Sequence, residues 1–363
     1  MKVLIIHASA GAGHRRAAEA VYSYIKENEP ALEPVLLDAL EKTNGLFKFF
    51  YTWGYSFLVH HAVWLWRLSF WVTDNRLLRP AVRSLARAVN RVNARDLCAY
   101  LVRENPDLVV STHFLPSELV SGLKNKGKIT SRLVTVITDF GAHSFWVSPG
   151  TDFYAVASEY TLKDLVSKGV SKDRVKVLGI PFDAKFLRKF DRAELCRKFS
   201  IDPKGFTVLL MTGSFGLGPL EEIAESLHRD CQVMVVCAGN KQLFRRLSGK
   251  GLENVKVFGF VDNAEELMAV SDLIVTKPGG ATITETLVMG LPAVFISAIP
   301  GQESVNIAAL AGYGVGASAK GIFQIKDFVL DLKNNPEKII ELKQRLAKIA
   351  KPFACKDLAD AIR

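Results

Sequence analysis

The sequence predicts an α/β protein of two doubly wound halves, with a cleft between the ends of their strands. Three observations carry this expectation. Short apolar runs alternate with helical periodicity over residues 3–178, and the alternation restarts at Phe206. Gly179-Ile180-Pro181-Phe182 separates the two series as a linker. Glycine-rich turns hand a strand to a helix at ASAGAGHRR (Ala8 to Arg16), TGSFGLG (Thr212 to Gly218) and TKPGGATITE (Thr276 to Glu285). A chain of 363 residues is long enough for two domains, each burying its own core. The expected domains are 1–180 and 181–363, with the last helix returning to the first.

In the first half, strands are expected at Val3 to His7, Val35 to Asp38, Leu108 to Ser111, Leu133 to Ile137, Phe153 to Ala157 and Val175 to Leu178. A helix from Arg15 to Lys26 follows the first turn. A helical insertion interrupts the pattern from about Asn44 to Asn105. In the second half, strands are expected at Phe206 to Met211, Cys231 to Cys237, Val255 to Val261, Leu273 to Val275 and Ala293 to Ser297. The helices read as Pro219 to His228, Glu265 to Val270, Thr282 to Met289, Ile307 to Ala311, Phe328 to Lys333, Glu337 to Ile349 and Ala354 to Ile362.

The turn after Leu273 to Val275 is the stretch around which the chain is organised. Gly279 and Gly280 let the backbone approach a ligand, and the amides of Thr282 and Ile283 lie at a helix N-terminus. Such a site favours a phosphate. Gly213, Ser214, Gly216 and Gly218 form a second loop of the same kind, with a hydroxyl donor. Glu285 reads either as a hydroxyl-binding acid in the first turn or as half of a Thr282-x-x-Glu285 capping box. Gln302, Glu303 and Asn306 follow the next strand at the same edge. Phe260 and Val261 end a strand there, either beside a base or as core. These residue types together suit a sugar nucleotide.

In the first turn, Gly11-x-Gly13 is followed by His14. A histidine opening a helix is disfavoured in its charged form, and a neutral imidazole takes a proton from an alcohol. Asp139, after Leu133 to Ile137, is a candidate either to orient His14 or to act as the base itself. Taken by itself, Asp139 reads first as a cap for the next segment. Gly11-x-Gly13 with Asp38 also raises a nicotinamide-dinucleotide reading, against which Arg16 stands where a third glycine is needed. No Asp-x-Asp pair or ligand-spaced His/Cys cluster is present, so no metal or cofactor is expected.

The formal net charge is +10, and the segment Lys42 to Arg95 holds nine basic residues against Asp74 alone. An anionic surface is the expected partner. Leu46 to Val72 carries Trp53, Trp64, Trp66 and Trp71, but Lys48, His60, His61 and Arg67 interrupt it, so an interfacial element is expected rather than a span. Arg83, Arg87, Arg91 and Arg95 recur at i, i+4, which predicts a basic face opposite an apolar one and a membrane-surface helix. Trp146 is a further candidate for lipid contact. No nucleic-acid module is visible, so nucleic acid is not an expected partner. The five cysteines lack a CxxC pair and suit a cytoplasmic location. No secretory leader is expected, since Met1-Lys2 runs straight into a strand.

Taken in order, HASAGAGHRRAAEA, TDFGAHSFW, GFVDNAEELM, TKPGGATITE and PGQESVN resemble the monogalactosyldiacylglycerol synthases and processive diacylglycerol glucosyltransferases of glycosyltransferase family 28. The resemblance spans nearly the whole chain. It implies the GT-B fold, with a lipid-acceptor first domain and a second domain that binds UDP-galactose or UDP-glucose. It further implies transfer to the 3-hydroxyl of diacylglycerol with inversion, His14 as base, Glu285 at the ribose and Gln302-Glu303 at the sugar. The insertion corresponds to the family's membrane-docking region, at the cytoplasmic face. Ala12 and the loop TGSFGLG depart from the usual three glycines and from GGGEGMG. A polyprenyl lipid acceptor, or a noncatalytic membrane- or RNA-binding module, are the rival readings.

Overall fold

The structure is a computed structural model that describes the chain except residues 10, 55, 56, 59–61, 76, 77, 214, 215, 217 and 297–300, and the side chain at position 79. Among the described residues the chain forms two compact units. The first comprises Met1–Asp183, Ile299–Asn306 and Phe353–Arg363, and the second Ala184–Ala298 and Ile307–Pro352.

The sheet of the first unit contains β1 (Lys2–His7), β2 (Glu33–Asp38), β3 (Leu108–Ser111), β4 (Arg132–Val136), β5 (Phe153–Val156) and β6 (Val175–Val177). Its order is β2-β1-β3-β4-β5-β6, all parallel. Strand β1 is apolar on both faces because both are covered. Val3 and Ile5 pack with Ala18, Val21 and Ile25 of the helix Ala12–Asn28, and with Leu358 and Ile362 of the chain's last helix. Leu4 and Ile6 point to the other face, against Leu97, Leu101, Leu115 and Leu119. The last helix is further held where Arg132 Nη1 donates to the Ile362 carbonyl at 3.1 Å and Arg363 pairs with Glu29.

The second unit repeats the plan with β7 (Thr207–Met211), β8 (Gln232–Val236), β9 (Val255–Phe258), β10 (Leu273–Thr276), β11 (Ala293–Phe295) and β12 (Ala317–Ser318). The order is β12-β11-β10-β7-β8-β9, again parallel. Val208 and Leu210 of β7 and Val275 of β10 pack with Leu220, Ile223 and Leu227. In both sheets the chain winds one way from its first strand and then returns to that strand's other side. The reversal falls between β1 and β3, and between β7 and β10, the places where open α/β sheets bind ligands.

Some boundaries differ from those expected. Strand β9 stops at Phe258, so Phe260 and Val261 lie in the loop after Gly259. The helix expected at Ile307 starts at Gln302, and Gln302 to Asn306 group with the first unit rather than the second. Arg95 opens a new helix, Arg95–Glu104, so the four spaced arginines do not share one helix.

Candidate active site

His14 stands in the first turn of the helix Ala12–Asn28, at the carboxyl end of β1 and beside the sheet's reversal point. Thr112, just past β3, holds it twice. Its carbonyl oxygen lies 3.0 Å from His14 Nδ1, and its hydroxyl donates to the His14 carbonyl at 2.9 Å. A carbonyl only accepts, so Nδ1 carries the ring proton and Nε2 keeps its lone pair. Thr138 Oγ1, 2.6 Å from Nδ1, shares the same proton. The rings of His113 and Trp146 lie 4.7 and 6.0 Å away by centroid. Burial lowers the His14 pKa to about 4, and the proximity of His7 adds to this, while the Thr112 carbonyl opposes it. The imidazole is therefore neutral near pH 7, chiefly because it is buried.

Asp139 is not the partner of that ring. It is buried, with Oδ2 accepting from Gln302 Nε2 at 2.6 Å and Oδ1 from Asn306 Nδ2 at 3.3 Å. Burial raises its pKa to about 6, while the two amides pull the other way. Asp38 Oδ1 accepts from the amides of Ser9 at 3.2 Å and Leu40 at 3.0 Å, a capping role.

These two groups set opposite pH dependences of stability. The folded pKa of His14 lies below 6.5, so its contribution, about 3 kcal/mol, is present above pH 6.5 and lost as the pH falls through about 4. The folded pKa of Asp139 lies above 3.8, so its contribution is present below pH 3.8 and lost as the pH rises through about 6. His14→Gln should flatten the decline in stability between pH 6.5 and 4, and Asp139→Asn should steepen it, as read by urea unfolding.

In the second unit, β10 runs into the helix Gly280–Met289, whose N-cap is Gly279 with no side-chain cap. The capping-box reading of Thr282 and Glu285 therefore fails. Glu285 is the helix's sixth residue, in the second turn rather than the first, and is buried. Ile283 is fully buried. On the neighbouring strand β7, the loop before the helix Leu220–Leu227 has left-handed backbone at Gly213, Gly216 and Gly218 (φ 81°, 57° and 115°). A Cβ at Gly216 would overlap the Cys237 carbonyl, so that glycine is required both by its φ and by its neighbour. Ser214 lies outside the described residues. Phe260 is 76 % exposed in the loop after β9 and is not core. The carboxyl ends of β10, β7, β8 and β9 are thus consecutive along one edge, with a glycine-rich turn on each side of the reversal point.

The insertion differs from its expected polarity. Trp53 on the short helical turn Phe50–Gly54 and Trp64 and Trp71 on the helix Val63–Asp74 are exposed, while Trp66 is half-buried with its ring 6.4 Å from Phe70. On the helix Arg79–Asn93, the arginine face turns partly inward. Arg83 donates to the Val147 carbonyl, and Arg87 pairs with Glu118 at 3.9 Å. Leu85, Val89 and Val92 are left outward, with Arg91 and Arg95 exposed. Trp146 is not a surface residue: it is buried in the core with Ile137, Ala142 and Tyr154, where its ring flanks His14. Among the described residues no helix is long and apolar enough to cross a membrane, and no group of His, Cys, Asp or Glu is arranged to hold a metal.

Sequence reasoning missed Thr112, Thr138 and His113 as groups around His14. The position of β3 beside β1 was the signal that would have found them, because it brings Thr112 and His113 to the reversal point.

The sequence model of the monogalactosyldiacylglycerol (MGDG) synthase family matches residues 14–182, and that of the glycosyltransferase family 28 C-terminal domain matches 208–352. The chain is 34 % identical over 295 residues to a processive diacylglycerol beta-glucosyltransferase of Staphylococcus epidermidis, covering 75 % of each chain. Another, from Staphylococcus saprophyticus, is 29 % identical over 376 residues, covering 99 % of this chain and 93 % of the relative. Among solved structures, Anabaena HepE in complex with UDP aligns with a TM-score of 0.61 at 16 % identity, over 100 % of this chain and 99 % of that one. Acinetobacter baumannii MurG also gives 0.61 at 16 %, over 99 % and 98 %. The fold is that of the GT-B glycosyltransferases.

Proposed function

The chain belongs to the family of monogalactosyldiacylglycerol synthases and processive diacylglycerol glucosyltransferases, and from that membership we propose that it transfers a hexose from a UDP-sugar to the 3-hydroxyl of 1,2-diacylglycerol. The observation that carries the chemistry is the neutral His14 with its proton fixed on Nδ1 by the Thr112 carbonyl. Nε2 takes the proton of the acceptor hydroxyl, and the oxygen forms its bond to the anomeric carbon. The bond from that carbon to the diphosphate breaks, and its electron pair leaves with UDP. Attack from the face opposite the leaving group gives the β-glycoside. A resting pKa of about 4 makes a weak base.

The donor's diphosphate is held without metal, by the uncapped N-terminus of Gly280–Met289 and by the loop containing Gly213, Gly216 and Gly218. Glu285 takes the ribose, exposed Phe260 and the Val261 backbone the base, and Gln302 and Glu303 the sugar. Glucose is the sugar in the names of the relatives. The enzyme docks at the surface of a membrane through Trp53, Trp64, Trp71 and the Leu85–Val92 face. Its side is cytoplasmic, in keeping with five free thiols.

The test is incubation with diacylglycerol vesicles and either UDP-glucose or UDP-galactose, followed by mass analysis of the lipid. A lipid gaining one hexose supports the proposal, and no gain with either donor rejects it. Gly216→Val is expected to weaken UDP binding at least tenfold, because the loop must leave its left-handed backbone and the Cys237 carbonyl. Isothermal titration with UDP checks this.

A further inference from the structure

Asp139 and Thr138 are consecutive, yet they serve different groups: Thr138 Oγ1 meets the His14 ring, and Asp139 meets Gln302 and Asn306. Resting on the transferase reading above, we infer that Asp139 is a positioning residue of the donor-sugar site, holding the side-chain amides of Gln302 and Asn306 so that Gln302 presents its carbonyl oxygen to a sugar hydroxyl.

The argument is one of donors and acceptors. A carboxylate only accepts, so Gln302 must turn its NH₂ toward Asp139 and its Oε1 away. Asn306 is committed at both ends. Its Nδ2 donates to Asp139 Oδ1 at 3.3 Å, and its Oδ1 accepts from the Phe140 amide at 2.8 Å. Asn306 is fully buried, so neither end has water as an alternative partner. The loop is also seated by shape, since any Cβ at Gly141 would overlap Val305. The first turn of the helix Gln302–Gly312 is therefore fixed in rotation and amide orientation by residues 139–141. An asparagine at 139 has the same shape, but it turns an NH₂ toward one of the two amides and frees it to flip.

The experiment is a calorimetric titration of the full chain with UDP, UDP-glucose and UDP-galactose. The variants are Asp139→Asn, Gln302→Glu and the double variant, with melting temperatures recorded alongside. Asp139→Asn should raise the Kd for the transferred UDP-hexose about tenfold and leave the Kd for UDP unchanged, the size expected for one hydrogen bond to a sugar hydroxyl. Its melting temperature at pH 7 should not fall, because a buried carboxylate has been removed. The double variant should recover most of the loss, since the amide introduced at position 139 would donate to a carboxylate at 302 that still offers an oxygen to the sugar. An unchanged Kd for UDP-hexose, equal weakening of UDP and UDP-hexose, or a double variant no better than Asp139→Asn would each overturn the inference. If the wild type binds UDP-hexose yet glycosylates no diacylglycerol, the transferase reading falls while the titrations still decide the role of Asp139. A wild type that binds no UDP-hexose overturns both.

Discussion

His14→Ala should lower kcat by about 10²–10⁴-fold while leaving the Kd for UDP within twofold of wild type. The first figure is what a positioned general base supplies. The second follows because His14 belongs to the first unit, whereas the glycine turns assigned to the diphosphate belong to the second. His14→Asn is the sharper variant. Its Nδ2 amide takes the place of the ring Nδ1 and donates to the Thr112 carbonyl, so the local bonding survives, but no lone pair of comparable basicity replaces that of Nε2. The two variants should therefore be about equally slow. Steady-state rates against diacylglycerol, with UDP titrations in parallel, check this. Turnover within twofold of wild type in either variant removes His14 from the mechanism.

The second large effect concerns the membrane. Changing Trp64, Trp71 and Leu85 together to Ser should weaken binding to diacylglycerol-containing vesicles by about 10²–10³-fold. These side chains are 71 %, 59 % and 68 % exposed, and complete burial of each is worth about 1.5–3 kcal/mol. Partial insertion realises a fraction of that. Arg83→Gln with Arg87→Gln should cost little affinity, since one guanidinium is committed to the Val147 carbonyl and the other to Glu118. Arg91→Gln with Arg95→Gln should cost more, and only on anionic vesicles at low salt, because these two side chains are exposed. Sedimentation with neutral and anionic vesicles separates the cases. Equal loss from both arginine pairs would reject this division between inward and exposed arginines.

The sequence was a good guide to what depends on short-range pattern. The strand cores, the two windings, the glycine turns and the placement of His14 at a helix start all follow from apolar runs and from where glycine falls. It was a poor guide to what depends on which side of a helix finds a neighbour. Arg83, Arg87 and Leu85 were legible as an amphipathic pattern, but the pattern does not say which face meets the helix Phe114–Lys124, and Glu118 on that helix decides it. Trp146 illustrates the same limit. It reads as a candidate for lipid contact, whereas the fold closes Ile137 and Tyr154 around it. Asp139 had no local signature for its real partners, because Gln302 and Asn306 lie more than 160 residues along the chain.

Leu358 and Ile362 fill the same apolar layer as Val3 and Ile5, so segments made early and late at the ribosome complete one another. Residues 1–183 emerging alone lack that closing piece and expose the groove meant for it. The N-terminal half should then wait until the helix Ala354–Ile362 has been made before its amides gain full hydrogen-exchange protection. Fragments ending before Ala354 are expected to aggregate, and supplying the missing helix as a separate peptide should bring part of their solubility back.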